Sequence, residues 1–279
     1  WARSQVMFAT ASGYVRRNEL SDFVDVKANG KIAMKLDEGD RLIGVGVCTA
    51  ANDILLAARS GKAIRFAVSD VRVFAGRDSI GVRGIRLEEG DRVVSMSVLR
   101  HVETEIEERD AYLRYAAAKR RAAGEETDAE EGSEAPAIDL TPLRIAELEQ
   151  FEEFILTVTA KGFGKRTSAY EYRVIGRGGQ GVANIEMSPR NGPVVGSFPV
   201  GEEDQIMLVT NGGQLIRCPV HDIRIARRQT QGVTVFRVAE DEEVVAVAHL
   251  SDLGEDVDGN GGGEESPPDG ETPAGEGGK

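Results

Sequence analysis

Cations set beside glycine turns are the residues whose type and spacing carry chemistry in this sequence. Four segments each place Lys or Arg at a tight turn: Arg16 and Arg17; Arg59, Lys62 and Arg65; Lys161, Lys165 and Arg166; and Arg217. A second set flanks a later glycine of the same segments, at Arg77, Arg83, Arg177, Arg227 and Arg228. Cations recurring at one edge of a repeated unit build a positive stripe. Such a stripe suits the regular charge of a double helix, whose phosphates give affinity without sequence readout. The expected duplex contacts are Arg16, Arg17, Arg59, Lys62, Arg77, Arg83, Lys161, Lys165, Arg177, Arg227 and Arg228. For Arg17, Arg65, Arg166 and Arg217 a second account stands beside this one. An acid follows five positions later, at Asp22, Asp70, Glu171 and Asp222, and the pair can close a salt bridge within its own unit. Aromatic residues are few and not interleaved with the cations, which argues against stacking on single strands.

The residues for catalysis are missing from the pattern. His101, His221 and His249 lie far apart without metal-ligand spacing, and neither a nucleophile elbow nor a Walker-type phosphate loop is present. No catalytic, cofactor-binding or metal-binding residue is therefore assigned. Cys48 and Cys218 sit in apolar, strand-like stretches and read as small buried hydrophobes of a reducing compartment. Asp37-Glu38 and Glu88-Glu89 fall on turns and read as solvated surface. The run Gly176 to Gly181, GRGGQG, invites a dinucleotide reading, but that loop needs a helix after it, and VANIEM alternates like a strand. It reads instead as a turn whose exposed amides, with Arg177, lie against a phosphate.

The elements that position these residues repeat. VMFATASGYVRRNELSDF (6–23), ILLAARSGKAIRFAVSDV (54–71), ILTVTAKGFGKRTSAYEY (155–172) and IMLVTNGGQLIRCPVHDI (206–223) align throughout. Each has an apolar run of strand length, a turn ending in Gly, a basic residue four positions on and an acid nine positions on: Gly13/Arg17/Asp22, Gly61/Arg65/Asp70, Gly162/Arg166/Glu171 and Gly213/Arg217/Asp222. Such turns favour Gly because it reaches positive φ without a steric cost. A second Gly follows in each unit, at Gly30, Gly81, Gly181 and Gly232, and introduces a further strand, KIAMKL, VRGIRL, VANIEM or VTVFRV. Each unit is thus about four short strands, the size of a propeller blade.

Charge divides the chain in the same way. The sequence carries a net −13, but residues 102–153 hold −10 and residues 251–279 hold −8, which leaves the rest at +5. Residues 101–123 are rich in Glu, Ala, Arg and Lys and predict a helix. Residues 124–139 predict a disordered acidic linker, and Thr141-Pro142 predicts an N-cap opening a helix to about Phe151. The expected organisation is two blades over 1–100, a helical and acidic insertion over 101–153, two blades over 154–250 and a disordered acidic tail over 251–279. No apolar run approaches the ~20 residues that span a bilayer, so a cytoplasmic location and no membrane partner are expected. The chain opens on Trp1 rather than Met, and a fragment or processed piece is expected.

The units VMFATASGYVRR, LDEGDRLIGV, ILLAARSGKAIRF, GVRGIRLEEGD, LTVTAKGFGKRT, YRVIGRGGQGV and TQGV, in that order, resemble successive blades of the C-terminal domain of the DNA gyrase A-type subunit. The resemblance covers about residues 5–100 and 154–249. It implies an all-β fold, a β-pinwheel of four-stranded blades that exchange strands with their neighbours, with the last four of six blades present. It also implies a non-catalytic region that wraps double-stranded DNA around a basic rim within a type IIA topoisomerase. That holoenzyme would be a heterotetramer, with a second A-type subunit beside B-type subunits. It would be chromosome-associated, would introduce negative supercoils and would use ATP and Mg2+ elsewhere. The basic Gly-rich box of the first blade and the N-terminal cleavage domain have no counterpart, so none of the five tyrosines takes the nucleophile's role. The insertion departs from the commonest pattern. Two alternatives are the corresponding domain of the topoisomerase IV A-type subunit, or a propeller-like protein-interaction scaffold whose acidic insertion docks a partner.

Overall fold

The computed structural model describes residues 4–26, 28–125 and 139–251. Most of the expected acidic linker and nearly all of the expected tail lie outside them. Each repeat opens with a hairpin: β1 (Gln5–Thr10) with β2 (Tyr14–Glu19), β4 (Asn52–Ala58) with β5 (Lys62–Ala67), β8 (Phe154–Thr159) with β9 (Phe163–Ser168), and β12 (Gln205–Thr210) with β13 (Leu215–Pro219). The first strand of each hairpin also pairs with the last strand of its repeat, β3 (Leu42–Cys48), β7 (Val93–Arg100), β11 (Val194–Val200) or β15 (Val244–Leu250). In all four pairs the register shifts near the turn end of the first strand, at Ala9/Thr10, Ala57/Ala58, Val194/Gly196 and Val209/Thr210. A recurring bulge at one place marks these as copies of one unit.

The other edge of each hairpin is completed by the next repeat. β6 (Val82–Arg83) pairs with β2, β10 (Val182–Ala183) with β5, and β14 (Val233–Thr234) with β9. The result is three four-stranded sheets and one three-stranded sheet, an all-β array with strands exchanged between neighbours. Two details differ from the sequence expectation. The strand after the second glycine is only two residues long, and KIAMKL of the first repeat forms no strand, because among the described residues there is no earlier hairpin for it to complete.

Exchange explains the glycines beyond their turns. The Gly61 carbonyl accepts the N–H groups of both Asn184 and Ile185, so the next repeat lies directly on the turn. Gly61 has φ +83°, and a Cβ there would come within 2.6 Å of Met187. At Gly181, with φ +77°, a Cβ would stand 2.4 Å from the Ala63 carbonyl oxygen. Only a residue with no side chain and access to positive φ permits both the turn and the approach.

The apolar cores lie between successive sheets. Met7, Val15, Ile54, Leu56, Ile64 and Phe66 fill the first junction. Leu55, Leu99, Ile155 and Tyr172 fill the second, and Leu156, Val158, Ile206 and Leu208 the third. Cys48 is buried in the first core, and burial pushes its thiol up to about 11, so it is an inert apolar contact.

Between β7 and β8 stand α1 (Ile106–Ala122) and α2 (Pro142–Phe151). Thr141 caps α2, its hydroxyl accepting from the Arg144 N–H, with Pro142 at the first helical position. Arg144 joins the two helices through a two-bond fork to Glu108, at 2.7 and 2.9 Å. Tyr112, Ala116 and Leu148 then bury against Tyr170, whose hydroxyl donates to the Leu148 carbonyl. The insertion is therefore anchored on the third repeat. Gly181→Ala should weaken the second exchange and lower stability by roughly 1–3 kcal/mol or more, read as a lower denaturation midpoint.

Candidate nucleic-acid interface

Strand exchange defines two sides of the array. β3, β7, β11 and β15 pack successively on one another: the backbones of Gly44 and Gly46 meet Met96 and Val98, Gly196 meets Val247, and the Ser95 hydroxyl donates to the Ser197 carbonyl at 2.7 Å. The exchanged strands β6, β10 and β14 lie at the opposite edge of their sheets. The loops that lead into them, 75–81, 176–181 and 227–232, share that outer edge and carry the second set of cations apart from Arg83, which ends β6.

Three of the eleven expected contacts are interior, which corrects the sequence reading. Arg16 is fully buried; its Nε donates to Asn18 Oδ1 at 2.8 Å, its Nη1 donates to the Ser79 carbonyl at 2.6 Å, and it lies over the Phe74 ring. Burial lowers the pKa of its guanidinium, with Asp78 pulling the other way. Lys165 is also fully buried, its ammonium donating to the carbonyls of Arg227 (2.5 Å), Arg228 (2.7 Å) and Thr230 (3.2 Å). Arg17 is 7% exposed, and its backbone carbonyl accepts the Phe74 N–H. A duplex lying on the rim cannot reach these charges. Their place in the hairpin strand was in the sequence, but the segment that covers them belongs to the following repeat.

The pairing of each Arg with the acid five positions on is also corrected. Arg65 forks onto Asp53 at 2.8 Å and onto the carbonyls of Ala169 and Arg100. Arg166 pairs with Glu202 in the turn after β11 and donates to the Ile223 carbonyl of the next repeat. In both cases the partner lies elsewhere than five positions on. The recurring backbone role is shared: the carbonyls of Arg17, Arg65 and Arg166 accept the N–H groups of Phe74, Ile175 and Ala226 from the following repeat. Arg217, with no such strand beside it among the described residues, is exposed.

The remaining expected contacts are on or near the surface. Arg59, Arg83 and Arg227 are exposed. Lys62 pairs with Glu88, and Lys161 pairs with Glu243 at 3.1 Å. Arg77, Arg177 and Arg228 each donate to a backbone carbonyl of the preceding repeat. The loop 176–181 leads into β10 and not into a helix, and its Gly178 N–H is spent on the Gly84 carbonyl at 2.6 Å. That amide is therefore not free to meet a phosphate. Glu171 sits against this edge, its acidity weakened by burial while the Arg228 N–H donates to it at 2.9 Å.

The sequence reading missed one recurring cation. Arg72, Arg173 and Arg224 each follow two positions after the acid of their repeat, at Asp70, Glu171 and Asp222. Arg72 and Arg173 are exposed, and Arg72 stacks 4.1 Å over Phe74. The Asp/Glu-x-Arg triplet in three successive units was the available signal. Each histidine meets a single carboxylate, His101 on Asp53, His221 near Asp222 and His249 on Asp204. Among the described residues no group of three His, Cys, Asp or Glu could hold a metal.

A family model described as the DNA gyrase C-terminal domain, beta-propeller, matches residues 4–49, 52–100, 153–200 and 204–251, one segment for each repeat and more than half of the chain. The chain belongs to the DNA gyrase A C-terminal domain family. It is 58% identical over 273 residues to the DNA gyrase A-type subunit of Granulibacter bethesdensis, covering 94% of this chain and 29% of that protein. Identity to the Rickettsia bellii subunit is 48%, covering 92% of this chain and 28% of that protein. Identity to the Escherichia coli subunit is 36%, covering 89% and 22%. The chain thus spans less than a third of these relatives. A solved gyrase A C-terminal domain superposes with a TM-score of 0.63 at 20% identity, over 90% of this chain and 67% of that one. The C-terminal domain of a DNA topoisomerase IV superposes with a TM-score of 0.66 at 20% identity, over 89% and 62%. These two likenesses show the fold, the strand-exchanged pinwheel of this family.

The division of the cations has a direct check. Lys165→Ala leaves buried carbonyls without their donor and should cost about 3 kcal/mol in denaturant unfolding, whereas Arg83→Ala should stay within about 0.5 kcal/mol of the parent.

Proposed function

We propose that this region holds and wraps double-stranded DNA on the outer edge of the array, as the non-catalytic DNA-wrapping part of a gyrase A-type subunit. The observation that carries the reading is the recurrence of exposed cations along the edge that strand exchange builds: Arg72 and Arg83, then Arg173, then Arg227. A duplex presents phosphates at regular intervals, and a row of guanidiniums on successive repeats meets them without reading bases. The +5 charge of the sequence outside 102–153 and 251–279 agrees in sign. Bending a short duplex by 40–90° costs about 1–6 kcal/mol, so several such contacts must act together, as a repeated edge allows.

Within a complete subunit, the wrapped segment would be presented to a type IIA strand-passage machinery that hydrolyses ATP with Mg2+ in other domains. That machinery would be a heterotetramer of two A-type and two B-type subunits in the cytoplasm, on the chromosome, and wrapping would give its product a negative sign. The identities of 36–58% to gyrase A-type subunits favour this over the topoisomerase IV reading, whose solved domain superposes at 20% identity. Among the described residues no helix is long and apolar enough to cross a membrane.

Mobility shift on duplexes of increasing length, each at several salt concentrations, tests the proposal. Affinity should rise with length until the edge is filled, and log K should fall with log salt by about 0.9 per phosphate contact, giving a slope of several units. Affinity that is insensitive to salt, or equal for short and long duplexes, contradicts it.

A further inference from the structure

Arg77, Arg177 and Arg228 occupy one position of the repeat and make one contact. Each lies four residues before the second glycine of its unit, Gly81, Gly181 or Gly232. Each donates from Nη1 to a carbonyl of the preceding repeat: Arg77 to Ile32 at 2.8 Å, Arg177 to Arg83 at 3.1 Å and Arg228 to Ala183 at 2.6 Å. The acceptors are themselves equivalent, each two residues after the second glycine of its own unit, Gly30, Gly81 or Gly181. The same atom therefore reaches the same acceptor at all three junctions. The first repeat has Val26 at this position, and no repeat precedes it among the described residues.

Arg177 also hydrogen-bonds a second point on the neighbour, and Arg228 stands within ion-pair reach of one. The Nε of Arg177 donates to the Asp70 carbonyl at 2.9 Å, and the Nε of Arg228 lies 3.9 Å from the Glu171 carboxylate. Asp70 and Glu171 are the equivalent acids of their repeats. A planar fork can span two fixed acceptors in this way, and a single ammonium cannot. Backbone bonds run beside the clamps: the Arg86 N–H donates to the Gly179 carbonyl at 2.8 Å, the Glu186 N–H to Thr230 at 3.0 Å and the Lys35 N–H to Ser79 at 3.3 Å.

We propose that these three arginines are positioning residues that fix the step from one repeat to the next, and through that step the path of the outer edge along which a duplex is bent. Their nitrogens face protein carbonyls, so their contribution to the duplex is the placement of the exposed cations, chiefly Arg72, Arg83, Arg173 and Arg227, on a curve of set pitch. The consequence for DNA rests on the wrapping function proposed above; the clamp itself does not. Arginines at the rim of a wrapping domain would ordinarily be taken as phosphate contacts, and the two roles differ in what a lysine can replace. Lysine keeps the charge and loses the fork.

The test introduces R77K, R177K and R228K together into the full chain and reads three quantities. Hydrogen exchange of the free protein should quicken about tenfold at the Arg86, Glu186 and Lys35 amides, equivalent to about 1.4 kcal/mol of local opening, while the amides inside the hairpins keep their protection. The salt slope of duplex binding should stay within one unit of the parent, because no phosphate contact is lost. At equal occupancy, energy transfer between the ends of a bound duplex should fall, because the edge no longer holds one curve. Unchanged exchange overturns the clamp. An alanine triple variant whose salt slope drops by about three, with unchanged exchange, makes the residues phosphate contacts and also overturns it. If the parent binds DNA without salt dependence, the wrapping function fails, and the exchange measurement still decides the clamp. Should the triple variant fail to fold, the single R177K variant gives the same readings at the second junction.

Discussion

Among the described residues, no hairpin of this array closes its own outer edge. The unpaired backbone of β2, β5 and β9 is completed by a two-residue strand from the following repeat, and nearly every unusual choice in the sequence answers to that arrangement. Open strand edges carry rows of unsatisfied donors and acceptors and invite pairing with other chains. Exchange removes the liability by spending the edge on the neighbour, which also links repeats that share only modest apolar junctions. The same approach forces glycine at the hairpin turn and again before the exchanged strand, since a side chain at Gly181 would run into the carbonyl it lies against.

Charge is organised by the same constraint. A cation on the covered face of a hairpin strand ends beneath the next repeat, where it must find carbonyls or a carboxylate. Lys165 finds three carbonyls, and Arg65 finds Asp53 with two carbonyls. A cation on the loop before the exchanged strand ends on the outer edge, where it either reaches back to the preceding repeat or faces solvent. The cations that build the array and those available to a ligand are thus sorted by position in the repeat, not by residue type. This sorting reconciles a markedly acidic chain with the proposed nucleic-acid surface: the acids concentrate in the stretch that holds the two helices and toward the C-terminus, away from the cations of the outer edge.

The repeat, its length, its turns and the helices of the insertion were legible because they are local. Gly61 and Arg65 recur at fixed offsets, and Thr141-Pro142 is an N-cap by its residue types alone. What could not be read was which edge covers which residue. Arg16 and Arg83 look alike in sequence, each a cation near a glycine, yet one is sealed under Ser79 and the other is exposed, because the covering segment lies more than sixty residues away. The Arg-to-acid spacing misled for a related reason. Asp70 and Glu171 do hold arginines, but those are Arg177 and Arg228 of the next repeat, Asp70 through its carbonyl and Glu171 through its carboxylate. The Asp/Glu-x-Arg triplet was present in three units, and only the outer-edge geometry gives it meaning.

The central claim is that the outer edge of successive repeats bends a duplex along one continuous curve. Relaxing closed circular DNA with a topoisomerase in the presence of the chain, then removing all protein and resolving the topoisomers, measures that curve without reference to any single contact. A linking-number distribution displaced in one direction, in proportion to the protein bound, is the predicted result. A distribution that stays at the protein-free position when the DNA is saturated would contradict the account.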